Sequence, residues 1–137
     1  MKIKLKKTRL YTNLIFGFVW VIIAIISIIG REKYQWTDFA YLVVGCLYLG
    51  HYLYDSINQY LIIDNGIIRK NVLYDFSKSI HLNDIKSIKK FAGVYTLKTD
   101  KKELKINTNL IDPVSLEELN KLLGELDLEP NKTIFSK

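Results

Sequence analysis

From Leu10 to Gly30 the chain carries no charged residue, and its polar side chains are few: Tyr11, Thr12, Asn13, Trp20 and Ser27. About 20 residues of helix cross a hydrocarbon core of about 30 Å. Backbone in lipid must satisfy its own hydrogen bonds, so the run predicts a transmembrane helix over 10–30 despite its β-branched isoleucines. A cleaved signal peptide would also begin basic and then turn apolar. This apolar stretch is too long for one, and Gly30-Arg31-Glu32-Lys33 offers no small-x-small cleavage site. A second stretch, Phe39 to Tyr54, is free of formal charge apart from any proton on His51. Extended to 36–59 it reads as a second transmembrane helix, with Trp36 and Tyr54 at the interfaces and Asp38 and Asp55 at opposite headgroup layers. The connection is short and polar, which predicts an antiparallel helical hairpin.

Beyond Gln59 the period changes. Tyr60-Leu61-Ile62-Ile63 and Ile67-Ile68-Arg69-Lys70 flank Asp64-Asn65-Gly66, and Asn-Gly between apolar runs signals a tight hairpin. Val72-Leu73-Tyr74 and Ser79-Ile80-His81-Leu82 read as further strand pieces. Residues 83–90 read as a short turn or the start of a strand. Gly93–Lys98 and Glu103–Asn107 alternate apolar and polar around Thr99–Lys102, the pattern of a second hairpin with one buried face. Pro113 suits a first helical turn, and Ser115 with Glu118 has capping-box spacing. Leu116, Leu119, Leu122, Leu123 and Leu126 form one apolar stripe at helical spacing. The expected fold is therefore a membrane helical hairpin plus a small α+β domain, an antiparallel sheet closed by a C-terminal amphipathic helix. Its organisation is 1–59 for the basic tail and two membrane helices, 60–128 for the α+β domain, and 129–137 for a loose tail.

Charge sharpens this division. The net charge is +6, of which the first ten residues carry +5 and residues 56–137 only +2. A basic juxtamembrane tail suits an anionic lipid surface. A nucleic-acid footprint would place the basic residues on the folded domain, so no nucleic-acid partner is expected. The lysine and arginine bias places both termini in the cytoplasm and the 31–35 loop outside, which makes the chain a multi-pass protein.

The chemistry-bearing residues are sparse. One cysteine, Cys46, lies in an apolar run, and the two histidines, His51 and His81, are isolated. Neither a disulfide framework nor a zinc ligand set is visible. The seven glycines are scattered, with no phosphate-binding loop. No catalytic residue, cofactor or metal is expected, and the chain reads as a non-enzyme.

The order of two membrane helices, short strands and one C-terminal amphipathic helix resembles the small membrane-anchored bacterial proteins with a pleckstrin-homology-like (PH-like) domain. The matching stretches are Leu61–Arg69, Ile80–Ile88 and Asp112–Leu126. The resemblance implies a bacterial inner-membrane protein whose domain is a binding or assembly module. Its partners would be membrane lipid and another membrane protein, or a second copy. Two alternatives are a sensor of anionic headgroups, and an accessory or immunity subunit acting through its membrane helices.

Two sets of residues are candidate contact sites. Lys86, Lys89 and Lys90 with Lys101 and Lys102 form a candidate anionic-surface contact, if the 86–90 segment and the 99–102 turn face the same side. Tyr41, Tyr48, Tyr52 and Asp55, with His51 beside them, line one face of the second helix. That face is a candidate partner seam or a packing surface against the first helix. Gly45 and Gly50 lack the four-residue spacing of a close-packing motif.

Overall fold

The computed structural model describes residues 1–76 and 78–135. The chain forms two units: Lys7–Ile57 make a helical pair, while Met1–Lys6 and Asn58–Lys137 together make an α+β unit. The helical pair is thus an insertion in the other unit.

The α+β unit begins with β1 (Lys2–Ile3), which pairs antiparallel with β2 (Leu61–Asp64) in the register Lys2↔Ile62 and Ile3↔Leu61. The Met1 amine donates to the Ile63 carbonyl at 2.8 Å. Strand β3 (Ile67–Lys70) follows β2 across a two-residue turn in which Asn65 and Gly66 take φ of 51° and 73°. Both values are what a hairpin of this length requires. Strand β4 (Ser79–His81) completes a sheet of order β1-β2-β3-β4. A second sheet, β5-β6-β7, consists of β5 (Ser87–Phe91), β6 (Val94–Lys98) and β7 (Glu103–Asn107). Period-two burial fills the core: Ile3, Leu61, Ile68, Ile88, Leu97, Leu104 and Ile106 are all at most 1% exposed. A short 3-10 turn, Thr108–Leu110, leads to α3 (Pro113–Gly124).

The helical unit consists of α1 (Lys7–Ile29) and α2 (Trp36–Asn58), 23 residues each. Three aromatic pairs join them: Tyr11–Tyr52, Phe16–Tyr48 and Trp20–Tyr41, with ring centroids 6.5, 5.8 and 5.8 Å apart. Between these pairs the backbones come close. A Cβ on Gly45 would lie 3.1 Å from the Val21 nitrogen and 3.2 Å from the Gly17 carbonyl oxygen. Gly50 faces open space.

Several expectations are corrected. Among the described residues only α1 is long and apolar enough to cross a membrane, so the expected pair of transmembrane helices is not found. Helix α2 has the same length, but Asp38, Asp55, His51 and four tyrosines dilute its apolar content. A multi-pass topology with both termini cytoplasmic therefore has no support. The flank counted for orientation is not a free tail either, since Ile3 and Leu5 are buried in the sheet unit. The expected single PH-like sheet closed by the C-terminal helix is also corrected: there are two open sheets, and α3 does not close them. Helix α3 buries Ser115, Leu119 and Leu123, a narrower stripe than the five leucines suggested. Its cap is Asp112, whose carboxylate accepts from the Val114 N–H at 3.2 Å, while Ser115 lies inside the helix and buried.

Val72–Tyr74 is a turn, not a strand. Asn71 Oδ1 accepts from the Leu73 N–H at 2.9 Å and the Asn71 carbonyl accepts from the Tyr74 N–H at 3.0 Å. An Asn side chain that bonds its own backbone two residues on outcompetes the β-propensity of Val-Leu-Tyr. At the C-terminus Phe135 packs edge-on against Tyr95, with centroids 6.0 Å apart. The last part of the expected loose tail, residues 136–137, lies outside the described residues.

Candidate functional site

A concavity of the α+β unit, with a volume of about 290 Å³, lies between β4, the start of β5 and the β6–β7 turn. Lys86, Lys101 and Lys102 line it with His81, Asp84 and Asp100. The turn that presents two of the lysines is fixed locally. Thr99 N–H donates to the Lys102 carbonyl at 2.8 Å, and Thr99 Oγ1 accepts from the Lys102 N–H at 2.9 Å. The Lys86 N–H donates to the Lys98 carbonyl at 2.7 Å, which extends the β5–β6 ladder to the pocket rim. Three ammonium groups against two carboxylates leave a small positive surplus, fit to hold one anionic group.

The other two lysines of the expected cluster are elsewhere. Lys89 alternates with buried Ile88 and therefore points to the opposite face of the strand. Lys90 Nζ sits 5.8 Å from the Tyr95 ring centroid, in a cation–π contact. The structure thus divides the five lysines into a pocket set of three and two that do not reach it. Spacing in sequence carried the proximity of the 86 and 99–102 segments, but not the strand pleat that turns Lys89 away or the distance along β5 that puts Lys90 beyond the pocket.

The α2 face behaves differently. Tyr41, Tyr48 and Tyr52 each pack on an aromatic residue of α1, so this seam is occupied within the chain. His51 Nε2 approaches Asp55 Oδ2 to 3.1 Å, and Asp55 is fully buried. Asp38, expected at an interface, is also fully buried. Its carboxylate accepts from Ser27 Oγ and, at 2.9 Å, from the Gln35 N–H, and Arg31 stands 3.8 Å away. An acidic side chain that satisfies an N–H in the first turn of a helix is favourable.

Three buried or half-buried polar groups went unread in the sequence. The Tyr60 hydroxyl accepts from the Asn107 N–H at 2.8 Å, joining the two sheets, and burial pushes its phenol above the ordinary value. Tyr95 donates to Asn120 of α3 at 2.9 Å, and burial raises it too. Lys70 Nζ donates to the Lys105 carbonyl at 2.7 Å and stands 3.7 Å from Asp75. Burial lowers its amine below the ordinary lysine value, against the pull of Asp75. Among the described residues no cluster of three or more His, Cys, Asp or Glu is placed to hold a metal ion.

Comparison with protein families, with curated proteins and with solved structures finds no match for this chain.

Proposed function

We propose that this chain is a membrane-anchored, non-enzymatic binding module that assembles with another membrane protein or with a second copy of itself. The observation that carries the reading is the pairing of β1 with β2 across the whole helical insertion. An apolar helix spliced between two paired strands joins the anchor to the folded domain through two chain crossings in one sheet. Such connectivity suits a binding module held at a membrane. The test is to solubilise the full chain in mild detergent, cross-link it and identify what copurifies. A stoichiometric membrane-protein partner or a defined homo-oligomer supports the reading. A monodisperse monomer that cross-links to nothing overturns it.

The three-lysine pocket favours a second reading, binding of an anionic group such as a lipid phosphate. Binding of the detergent-solubilised chain to soluble phosphoinositol headgroups, with and without Lys86→Gln, Lys101→Gln and Lys102→Gln together, tests it. Affinity that falls with salt and is lost in the triple variant supports the pocket; unchanged affinity removes it.

A further inference from the structure

The α+β unit leaves two apolar tips uncovered. In the connection after β3, Val72, Leu73 and Phe76 are 42%, 52% and 87% exposed. At the end of β5, Phe91 is 85% exposed. Both tips are linked through hydrogen bonds to the residues at which the chain passes to the helical insertion. The Asn71 N–H donates to the Tyr60 carbonyl at 3.0 Å, and its Nδ2 donates to the Gln59 carbonyl at 2.7 Å. The first tip is therefore bonded to the residues that follow α2. The second tip is held by Gly93, whose carbonyl accepts from the Thr108 N–H at 2.9 Å and from Thr108 Oγ1 at 2.6 Å. Two residues further on, the Leu110 carbonyl accepts from the N–H of Lys6, the last residue before α1, at 2.8 Å.

The opposite ends of the same strands have a different composition. The β2–β3 turn is Asp64-Asn65-Gly66, and the β6–β7 turn is Thr99-Asp100-Lys101-Lys102. Large exposed apolar residues thus mark the turns next to the chain crossing, while the turns at the far ends are polar. Surface apolar residues scattered singly call for no explanation, but ones gathered at the end of a domain where the chain leaves for a lipid-compatible helix do. Exposed Lys4 and half-exposed Lys6 add positive charge at the same edge.

We propose that Phe76, with Val72 and Leu73, and Phe91 are wedges that enter the interfacial layer of a phospholipid bilayer at the end of the α+β unit where the chain crosses to the helical insertion. Aromatic rings partition to that layer, and the lysines face its anionic headgroups. The wedges rest on the reading of α1 as a membrane anchor, and they add that the domain itself lies against the bilayer.

The test uses the full chain with Cys46→Ser and a single new cysteine, Phe76→Cys, Phe91→Cys or, for comparison, Asp64→Cys. Each is labelled with an environment-sensitive fluorophore and reconstituted in phosphatidylcholine–phosphatidylglycerol vesicles, with and without nitroxide-labelled lipid. Blue-shifted emission and quenching several-fold stronger at 76 and 91 than at 64 is the expected result. Leu73→Cys repeats the measurement within the first tip. Equal, aqueous emission at all sites in a chain that floats with the vesicles overturns the wedges and leaves the anchor standing. A blue shift without lipid quenching assigns the tips to a protein contact and also overturns them. A chain that does not float with vesicles overturns the anchor and the wedges together.

Discussion

The two units of this protein use the same apolar residues to opposite ends. In the α+β unit, Leu61, Ile68, Leu104, Ile106 and Leu119 are wholly buried. In α1, Ile15, Phe18, Ile22 and Ile26 are each more than half exposed, and the buried positions are Asn13, Gly17 and Ala24. One unit is built against water, with its large side chains inside. The other keeps small or polar groups inside and turns its large apolar groups outward, as suits a helix long and apolar enough to cross a membrane.

The strongest way to break this contrast is to remove volume from the sheet core. Leu104→Ala should cost about 2–5 kcal/mol, enough to unfold a unit of this size, as seen by loss of amide-exchange protection in β6 and β7. A central charge in α1 probes the other side. Phe18→Lys should disfavour insertion by about 3 kcal/mol and move the chain out of the membrane fraction, with the sheet core still folded. If both variants act alike in both assays, the division of labour between the units is wrong. Gly45→Val sharpens the comparison within the helical pair. Overpacking typically costs about 1–3 kcal/mol, so the aromatic stacks should separate and quenching between α1 and α2 labels should fall.

A smaller effect concerns pH and belongs to the α+β unit alone. Tyr60 and Tyr95 have phenols raised above 10.0 by burial. The unfolded chain releases those protons first, so stability is intact below about pH 10 and falls as pH rises further. Lys70 acts in the reverse sense. Its lowered amine means that the unfolded state binds more protons below 10.5, and stability rises towards that value. Denaturant melts from pH 8 to 11 should show the fall at the alkaline end, with a shallower fall in Tyr60→Phe than in the parent.

Much of this was legible in the residues. Asn65-Gly66 fixed one hairpin, because few side chains other than Asn and Gly adopt positive φ readily. The alternation around Thr99–Lys102 fixed another. The alternation Lys2-Ile3-Lys4-Leu5 carried the same period-two signal, but five positive charges in ten residues drew the reading towards a tail. The β5–β6 hairpin was hidden because its turn places Ala92 at φ 49°, a conformation ordinarily left to Gly or Asn. In α2 the length of the uncharged stretch outweighed its tyrosines and flanking acids. For the candidate site, sequence distance brought three lysines together, whereas the pleat, invisible in a list of spacings, sent Lys89 away.

The pairing of residues 2–3 with residues 61–62 also dictates an order of events during synthesis. The first strand leaves the ribosome long before its partner exists. It must wait, unpaired and carrying Ile3 and Leu5, while some fifty intervening residues are made and the helical arm finds its place. Closure of this sheet therefore comes late: β1 can pair with β2 only after the helical arm between them has been made.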